Sequence, residues 1–169
     1  EINFFDVGQG DSIFIETPLG YQVLIDGGPG PAVLEKLGQE MPFWDRHIDL
    51  VVLTHPEHDH IAGLVEVLKK YQVDFILWTG VIRETGEYKE WQKMIQTRDR
   101  VVIAKSGQVI STPQAKFFVL HPLESLESQT IKNINNSSVA LSLWYGEKKF
   151  LFTGDLYKVA EKELVKNNR

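Results

Sequence analysis

The sequence contains no cysteine. That excludes disulfide staples, thiolate zinc sites and cysteine nucleophiles, and it leaves the redox compartment open. It also lacks any apolar run near the roughly 18–20 residues that a membrane span needs, so this piece reads as soluble. Basic residues are in the minority, 18 against 23 acidic, for a net charge of −5. A broad basic face for non-specific nucleic-acid binding is therefore not expected. A phosphodiester substrate stays compatible with this charge if bound divalent cations supply the local positive field. Internal repeats and low-complexity stretches are missing, and so are an initiator Met and signal-peptide composition at Glu1. Targeting information would then lie outside this sequence. What remains is ordinary globular material, 43% hydrophobic and 24% charged, of a length that fits one domain over residues 1–169.

The pattern along the chain predicts strands over 2–7, 12–16 and 21–25, joined by the turns Gly8-Gln9-Gly10-Asp11 and Pro18-Leu19-Gly20. Short turns between them predict an antiparallel opening. A short helix is expected over 31–37 and a fully buried strand over 50–53. Apolar residues at Ile61, Leu64, Val65, Leu68 and Tyr71 predict a helix over 59–71. A strand over 73–78 precedes a charged, solvent-facing helix over 84–96. The remainder predicts strands over 101–104, 116–120, 139–145 and 149–153, with a hairpin at Gly146-Glu147-Lys148. A long polar loop spans 124–136, and a closing helix is expected over 156–165. Strand runs with interleaved helices predict an α/β arrangement of sheets with helices outside.

The chemistry concentrates in Thr54-His55-Pro56-Glu57-His58-Asp59-His60. Three imidazoles and two carboxylates this close repel one another or go unsatisfied unless a cation sits among them. Nitrogen and oxygen donors suit Zn²⁺, Mn²⁺ or Fe. The group follows a buried strand, at the carboxyl end where open α/β sheets place their sites. The alternative is a chance His cluster on a surface loop. A second strand, 150–153, ends in Gly154-Asp155. Alone, Asp155 reads as the N-cap of the following helix; beside the His loop it reads as a metal ligand.

A Thr-His loop ending in Asp-His, followed later by a strand ending in Gly-Asp, resembles the metallo-β-lactamase superfamily. The usual loop of that family is His-x-His-x-Asp-His; here Glu57 takes the second His position and His58 falls on a free one. A carboxylate there is similar to the branch containing the extracytoplasmic domain of ComEC-type DNA-uptake competence proteins. The same branch carries Phe-x-Asp-Val-Gly-Gln-Gly-Asp-Ser, matched by 4–12, Leu-Ile-Asp-Gly-Gly, matched by 24–28, and His-Ile-x-Gly-Leu, matched by 60–64. It also has Asn-Asn-x-Ser, matched by Asn135-Asn136-Ser137-Ser138.

The resemblance implies an αββα four-layer sandwich. It implies two divalent ions, zinc or manganese, with His55 and Glu57 on one, Asp59 and His60 on the other, and Asp155 bridging. Asp59 and Asp155 are the implied catalytic residues, Asp59 orienting the nucleophile. Asp26, Gln9, Asp11, Asn135, Asn136 and Ser138 are expected behind the ligands or against substrate; Asp26, Gln9 and Asp11 are equally explained as turn formers. His121 is expected to be structural, His58 a rim residue and His47 a surface one. Trp78, Trp91 and Trp144 are expected in the core, with base stacking as the alternative for Trp78. The implied function is a metal-dependent nuclease degrading DNA, single-stranded, during uptake. The implied location is the extracytoplasmic face of a bacterial membrane, beside a membrane-channel domain of the same protein. The alternatives are a stand-alone hydrolase of a small ester or phosphoester and an inactive binding module. The family continues past its Gly-Asp helix with a further strand, a His-His-Gly-Ser motif and a last helix. The present sequence ends at Arg169 without them, so a weakened site and little nuclease activity are expected of this piece alone.

Overall fold

A computed structural model describes residues 1–167. Ten strands form two sheets. The first sheet joins β1 (Ile2–Phe4), β2 (Ile13–Glu16), β3 (Gln22–Ile25), β4 (His47–Val52), β5 (Gln72–Trp78) and β6 (Val101–Ile103) in sequence order. The predicted antiparallel opening is present in β1–β2–β3, and from β3 onward the pairing is parallel. The second sheet runs β10 (Lys148–Phe152), β9 (Ala140–Tyr145), β8 (Ala115–His121), β7 (Val109–Ser111), all antiparallel.

The sequence pattern explains the layering. Strands β3 and β4 are covered on both faces, and such strands read as continuous apolar runs. Their alternate residues point opposite ways. Leu24 and Val51 face helices α1 (Ala32–Glu40), α2 (His58–Lys70) and α3 (Gly86–Ile95). Val23, Ile25, Leu50 and Val52 face the second sheet, where they meet Phe117, Val119, Leu141, Leu143 and Phe152. Strand β8 alternates buried Ala115, Phe117 and Val119 with more exposed Lys116 and Phe118. Its outer face is partly covered by α4 (Lys158–Asn167), which buries Ala160 and Leu164 beside Leu120 and Ala140. The order is helices, sheet, sheet, helix: the expected αββα sandwich. No helix of the described residues is long and apolar enough to cross a membrane.

Several expectations change. The first strand stops at Phe4 because the chain turns away at Asp6 to carry Gln9 and Gly10 over to α2. Helix α3 is not simply solvent-facing, since Tyr88, Trp91 and Ile95 are buried against the first sheet. Strand β7 and the 3₁₀ turn Ile134–Ser137 fall in segments whose polar composition concealed them. Trp144 is not core: it is 40% exposed on the outer face of the second sheet, with the Lys149 ammonium 3.8 Å from its ring centre. Trp78 and Trp91 are buried as expected, and burial removes Trp78 as a stacking platform for a base.

The start of α3 gives a test of local control. The Thr85 side chain accepts from the Tyr88 N–H, a standard cap. Thr85→Ala is expected to cost ~1 kcal/mol in urea unfolding, within the usual range for a lost N-cap. No change in unfolding midpoint would mean that packing of Tyr88, Trp91 and Ile95 holds this helix without the cap.

Candidate metal centre

The neighbouring parallel strands β3 and β4 both deliver polar groups to the same edge of the first sheet. Asp26 follows β3, Thr54 and His55 follow β4, and the first turn of α2 supplies Asp59 and His60. That turn also places the Asp59 carboxylate at the positive end of the helix. From the second sheet come Ser138, just before β9, and Asp155, just after β10. The two halves are sewn together by the Val139 N–H donating to the Thr54 carbonyl at 2.8 Å. The site therefore lies on the seam of the sandwich.

His55 and His60 are fully buried, with ring centres 4.2 Å apart. One ligand atom each from His55, His60 and Asp155 lies within 4.8 Å of the other two. Asp11, Asp26 and His60 form a second such group. His60 Nε2 stands 3.6 Å from Asp155 Oδ1 and 3.9 Å from Asp59 Oδ1. The Asp59 carboxylate also accepts from Gln9 Nε2 at 3.0 Å through its other oxygen, Oδ2. A Cβ at Gly10 would stand 1.9 Å from the Asp59 carbonyl oxygen, so only glycine lets this turn lie against α2. Asn135 Nδ2 donates to Asp155 Oδ2 at 3.4 Å, and Asn136 Oδ1 accepts from the Tyr157 N–H at 3.2 Å.

Asp26 sits behind the histidines, wholly buried. Its carboxylate accepts three hydrogen bonds: the Thr54 N–H at 2.8 Å, the Thr54 hydroxyl at 2.6 Å and His60 Nδ1–H at 2.8 Å. Asp26 has a φ of +57°, in the left-handed region that non-glycine residues rarely adopt. A histidine that donates through Nδ1 to a carboxylate presents Nε2 outward, the usual arrangement behind a metal-binding imidazole.

The electrostatics point the same way. Burial opposes a charge on His60, but the Asp26, Asp155 and Asp59 carboxylates outweigh it and push its pKa up to about 9. Burial, followed by the nearby His60, holds His55 well below its ordinary value. Asp11 is raised, by burial first and then by the Asp26, Asp155 and Asp59 carboxylates, with only His60 opposing. Burial works against the charge on Asp59, yet the Gln9 hydrogen bond and His60 hold its pKa low. Four carboxylates thus share one pocket whose demand for a cation falls on a buried imidazole.

The decisive observation is at the two Nε2 atoms. Both are buried without a hydrogen-bond partner among the described residues. An orphaned buried polar atom costs ~1–3 kcal/mol, and two of them facing carboxylates form a donor set that fits a divalent cation. Glu57 is not brought into this group. Its carboxylate accepts from Arg83 Nη2 at 2.9 Å, so a ligand role for Glu57 requires breaking that ion pair. His58 is exposed and contacts Glu87 at 2.8 Å; His47 pairs with Asp74 at 3.2 Å. The His121 ring donates through Nδ1 to the Ser138 carbonyl at 2.8 Å and holds the turn rather than the cluster. Sequence reasoning missed Thr54 and Arg83. The position of Thr54, between a buried strand and the first histidine, was the available signal; nothing local marks Arg83.

The metallo-β-lactamase superfamily profile matches residues 5–167. The chain is 29% identical to ComE operon protein 3 of Bacillus subtilis over 98% of its own length, and it spans 23% of that protein. Among solved structures it superposes on a metallo-β-lactamase from Cronobacter sakazakii with a TM-score of 0.57 at 13% identity, covering 90% of this chain and 58% of that one. It also superposes on CmlA, a diiron β-hydroxylase from Streptomyces venezuelae, with a TM-score of 0.55 at 20% identity, over 90% of this chain and 29% of that one.

Proposed function

This chain belongs to the metallo-β-lactamase superfamily, a superfamily of metal-dependent hydrolases, and on that premise we propose that it degrades DNA as a phosphodiesterase. In this reading residues 1–169 are one soluble module of a longer DNA-uptake protein, set beside its membrane-channel domain on the extracytoplasmic face. Single-stranded DNA is the substrate. The observation that carries metal-dependent hydrolysis is the pair of unpartnered Nε2 atoms of His55 and His60 converging with Asp155. The DNA assignment is supported by the match to ComE operon protein 3, which covers 98% of this chain and 23% of that protein.

His55, His60, Asp59 and Asp155 would hold two divalent ions, zinc or manganese. Such ions supply an acidified water and positive charge against phosphate oxygens. The charge of the site makes that second contribution necessary. Asp11, Asp26, Asp59 and Asp155 would otherwise repel a phosphodiester anion from a protein that is already net negative. The protein's own residues do the positioning. Asp26 orients His60, and Gln9 pins one oxygen of Asp59, leaving Oδ1 turned toward His60. Asp155 is about two-fifths exposed and Asp59 about a quarter, so a backbone phosphate can reach both from solvent.

The test is degradation of end-labelled single-stranded DNA by the full-length gene product with Mn²⁺ or Zn²⁺. Activity is expected with metal, lost on chelation, and abolished by Asp59→Asn and by Asp155→Asn. Undiminished cleavage by Asp155→Asn, or no cleavage with either metal, would sink the proposal.

A further inference from the structure

We infer that Thr54 and Ser138 are positioning residues that lock the proton of His55 on Nδ1 and so reserve its Nε2 lone pair for a metal ion. The inference rests on the metal-centre reading for its purpose, but the lock itself follows from hydrogen bonds of the protein alone.

A neutral imidazole has one N–H and one lone pair, and its partners decide which nitrogen carries which. His55 Nδ1 faces two hydroxyls, Thr54 Oγ1 at 3.1 Å and Ser138 Oγ at 3.3 Å. Each hydroxyl has a single proton. That of Thr54 goes to Asp26 Oδ2 at 2.6 Å, and a carboxylate only accepts. The Ser138 proton goes to the Asn135 carbonyl at 2.7 Å, which also only accepts. Both oxygens therefore meet His55 with lone pairs, and Ser138 Oγ takes the Asp155 N–H at 3.2 Å on the same terms. Nδ1 must be the donor. The other tautomer would face a nitrogen lone pair with two oxygen lone pairs, or pull a hydroxyl proton away from Asp26 or from the Asn135 carbonyl. Either choice forfeits a buried hydrogen bond.

The consequence is a single proton-ordering chain. Asp26 fixes His60 directly and His55 through Thr54, so one buried carboxylate orients both imidazoles. Ser138 adds a second tie from the opposite sheet, reaching the His55 ring and the backbone of Asp155 together. Two ligands on different sheets thus share one hydroxyl.

The experiment is long-range nitrogen–proton correlation NMR on histidine-labelled, metal-free protein at neutral pH. The five histidines are assigned by single substitution, and Zn²⁺ titration calorimetry is run on the same samples. Wild type is expected to show His55 wholly as the Nδ1–H tautomer. Ser138→Ala with Thr54→Val should yield a tautomer mixture and weaken Zn²⁺ binding by about 10–100-fold, the usual effect of losing a residue behind a ligand. Thr54→Ser and Ser138→Thr, which keep the hydroxyls, should restore both readouts. If the double variant does not fold, Ser138→Ala alone is read for affinity, with a smaller loss expected. Wild-type His55 protonated on Nε2, or a folded double variant with unchanged tautomer and affinity, would overturn the inference. A locked Nδ1–H tautomer in a protein that binds neither Zn²⁺ nor Mn²⁺ would instead remove the metal-centre reading while leaving the hydrogen-bond chain standing.

Discussion

Asp26→Ala is expected to destabilise the protein by about 3–5 kcal/mol, the range for breaking a buried ion pair by deleting one partner, and to eliminate metal binding. The Asp26 carboxylate is the acceptor for Thr54 N–H, the Thr54 hydroxyl and His60 Nδ1–H, and all of these groups are buried. Removing it leaves three donors without a partner and an imidazole with no fixed orientation. Urea unfolding of metal-free protein measures the first effect, and it should be pH-dependent. The folded pKa of His60 is about 9, above its ordinary 6.5. Its charged form therefore stabilises the wild-type fold fully below pH 6.5, and that contribution is lost as pH rises through 9. His55 works in the opposite sense: the fold keeps it neutral, so acidification below 6.5 opposes folding. Asp26→Ala should flatten the alkaline slope and leave the acid one. In wild type a metal ion must displace the His60 proton, so affinity should rise about tenfold per pH unit up to about 9. A metal affinity independent of pH from neutrality to 9 would show that His60 is not the group displaced.

Gly63→Ala should be strongly destabilising, although alanine is normally better than glycine inside a helix by ~1 kcal/mol. A Cβ at Gly63 would lie 1.8 Å from the Gly27 carbonyl oxygen and 2.9 Å from that of Gly30. Both obstacles are backbone, so no side-chain rotation relieves them. The same contact is reciprocal, since a Cβ at Gly27 would stand 2.4 Å from the Leu64 nitrogen. Here α2 and the turn after β3 touch main chain to main chain, joined by Gly27 N–H to the His60 carbonyl and Gly63 N–H to the Gly28 carbonyl, each at 2.9 Å. Separating them costs about 3 kcal/mol or more on the scale of overpacked cores, well above the propensity gain. It also moves Asp26 relative to His60, so metal affinity should fall with stability. Gly38→Ala in α1 is the control: nothing lies within 4 Å of its Cβ, and it should stabilise by about 0.5–1 kcal/mol. Equal effects at the two positions in urea unfolding would contradict the close-contact account.

Much of the site was readable because its donors are local. His55, Asp59 and His60 lie within one short stretch, the loop after β4 and the first turn of α2, and Asp155 follows a strand-end glycine, so spacing alone raised the metal hypothesis. What was not readable depends on pairing across the chain. Glu57 and His55 look equivalent in sequence, but Arg83, 26 residues later, engages Glu57 and nothing comparable engages His55 Nε2. Asp155 read alone as a helix cap, yet α4 begins only at Lys158. The fold was legible where period and composition agreed, as in α2 and β4. It was misread at Trp144, because an aromatic on a half-buried strand gives no sign of which face it takes until the register of β8 and β9 is set.

The centre draws its donors from two sheets whose relative position is held mainly by a layer of hydrocarbon. His55 and His60 move with the first sheet, Asp155 with the second, and Phe117, Leu141, Leu143 and Phe152 lie between the sheets. That layer acts as a spacer gauge. A truncation such as Leu143→Ala, remote from every ligand, would let one sheet settle toward the other and alter the 3.6 Å gap between His60 Nε2 and Asp155 Oδ1. An ion held on both sides would in turn rivet the layers, so that its removal loosens the sandwich as a mechanical joint and not merely as a reaction centre.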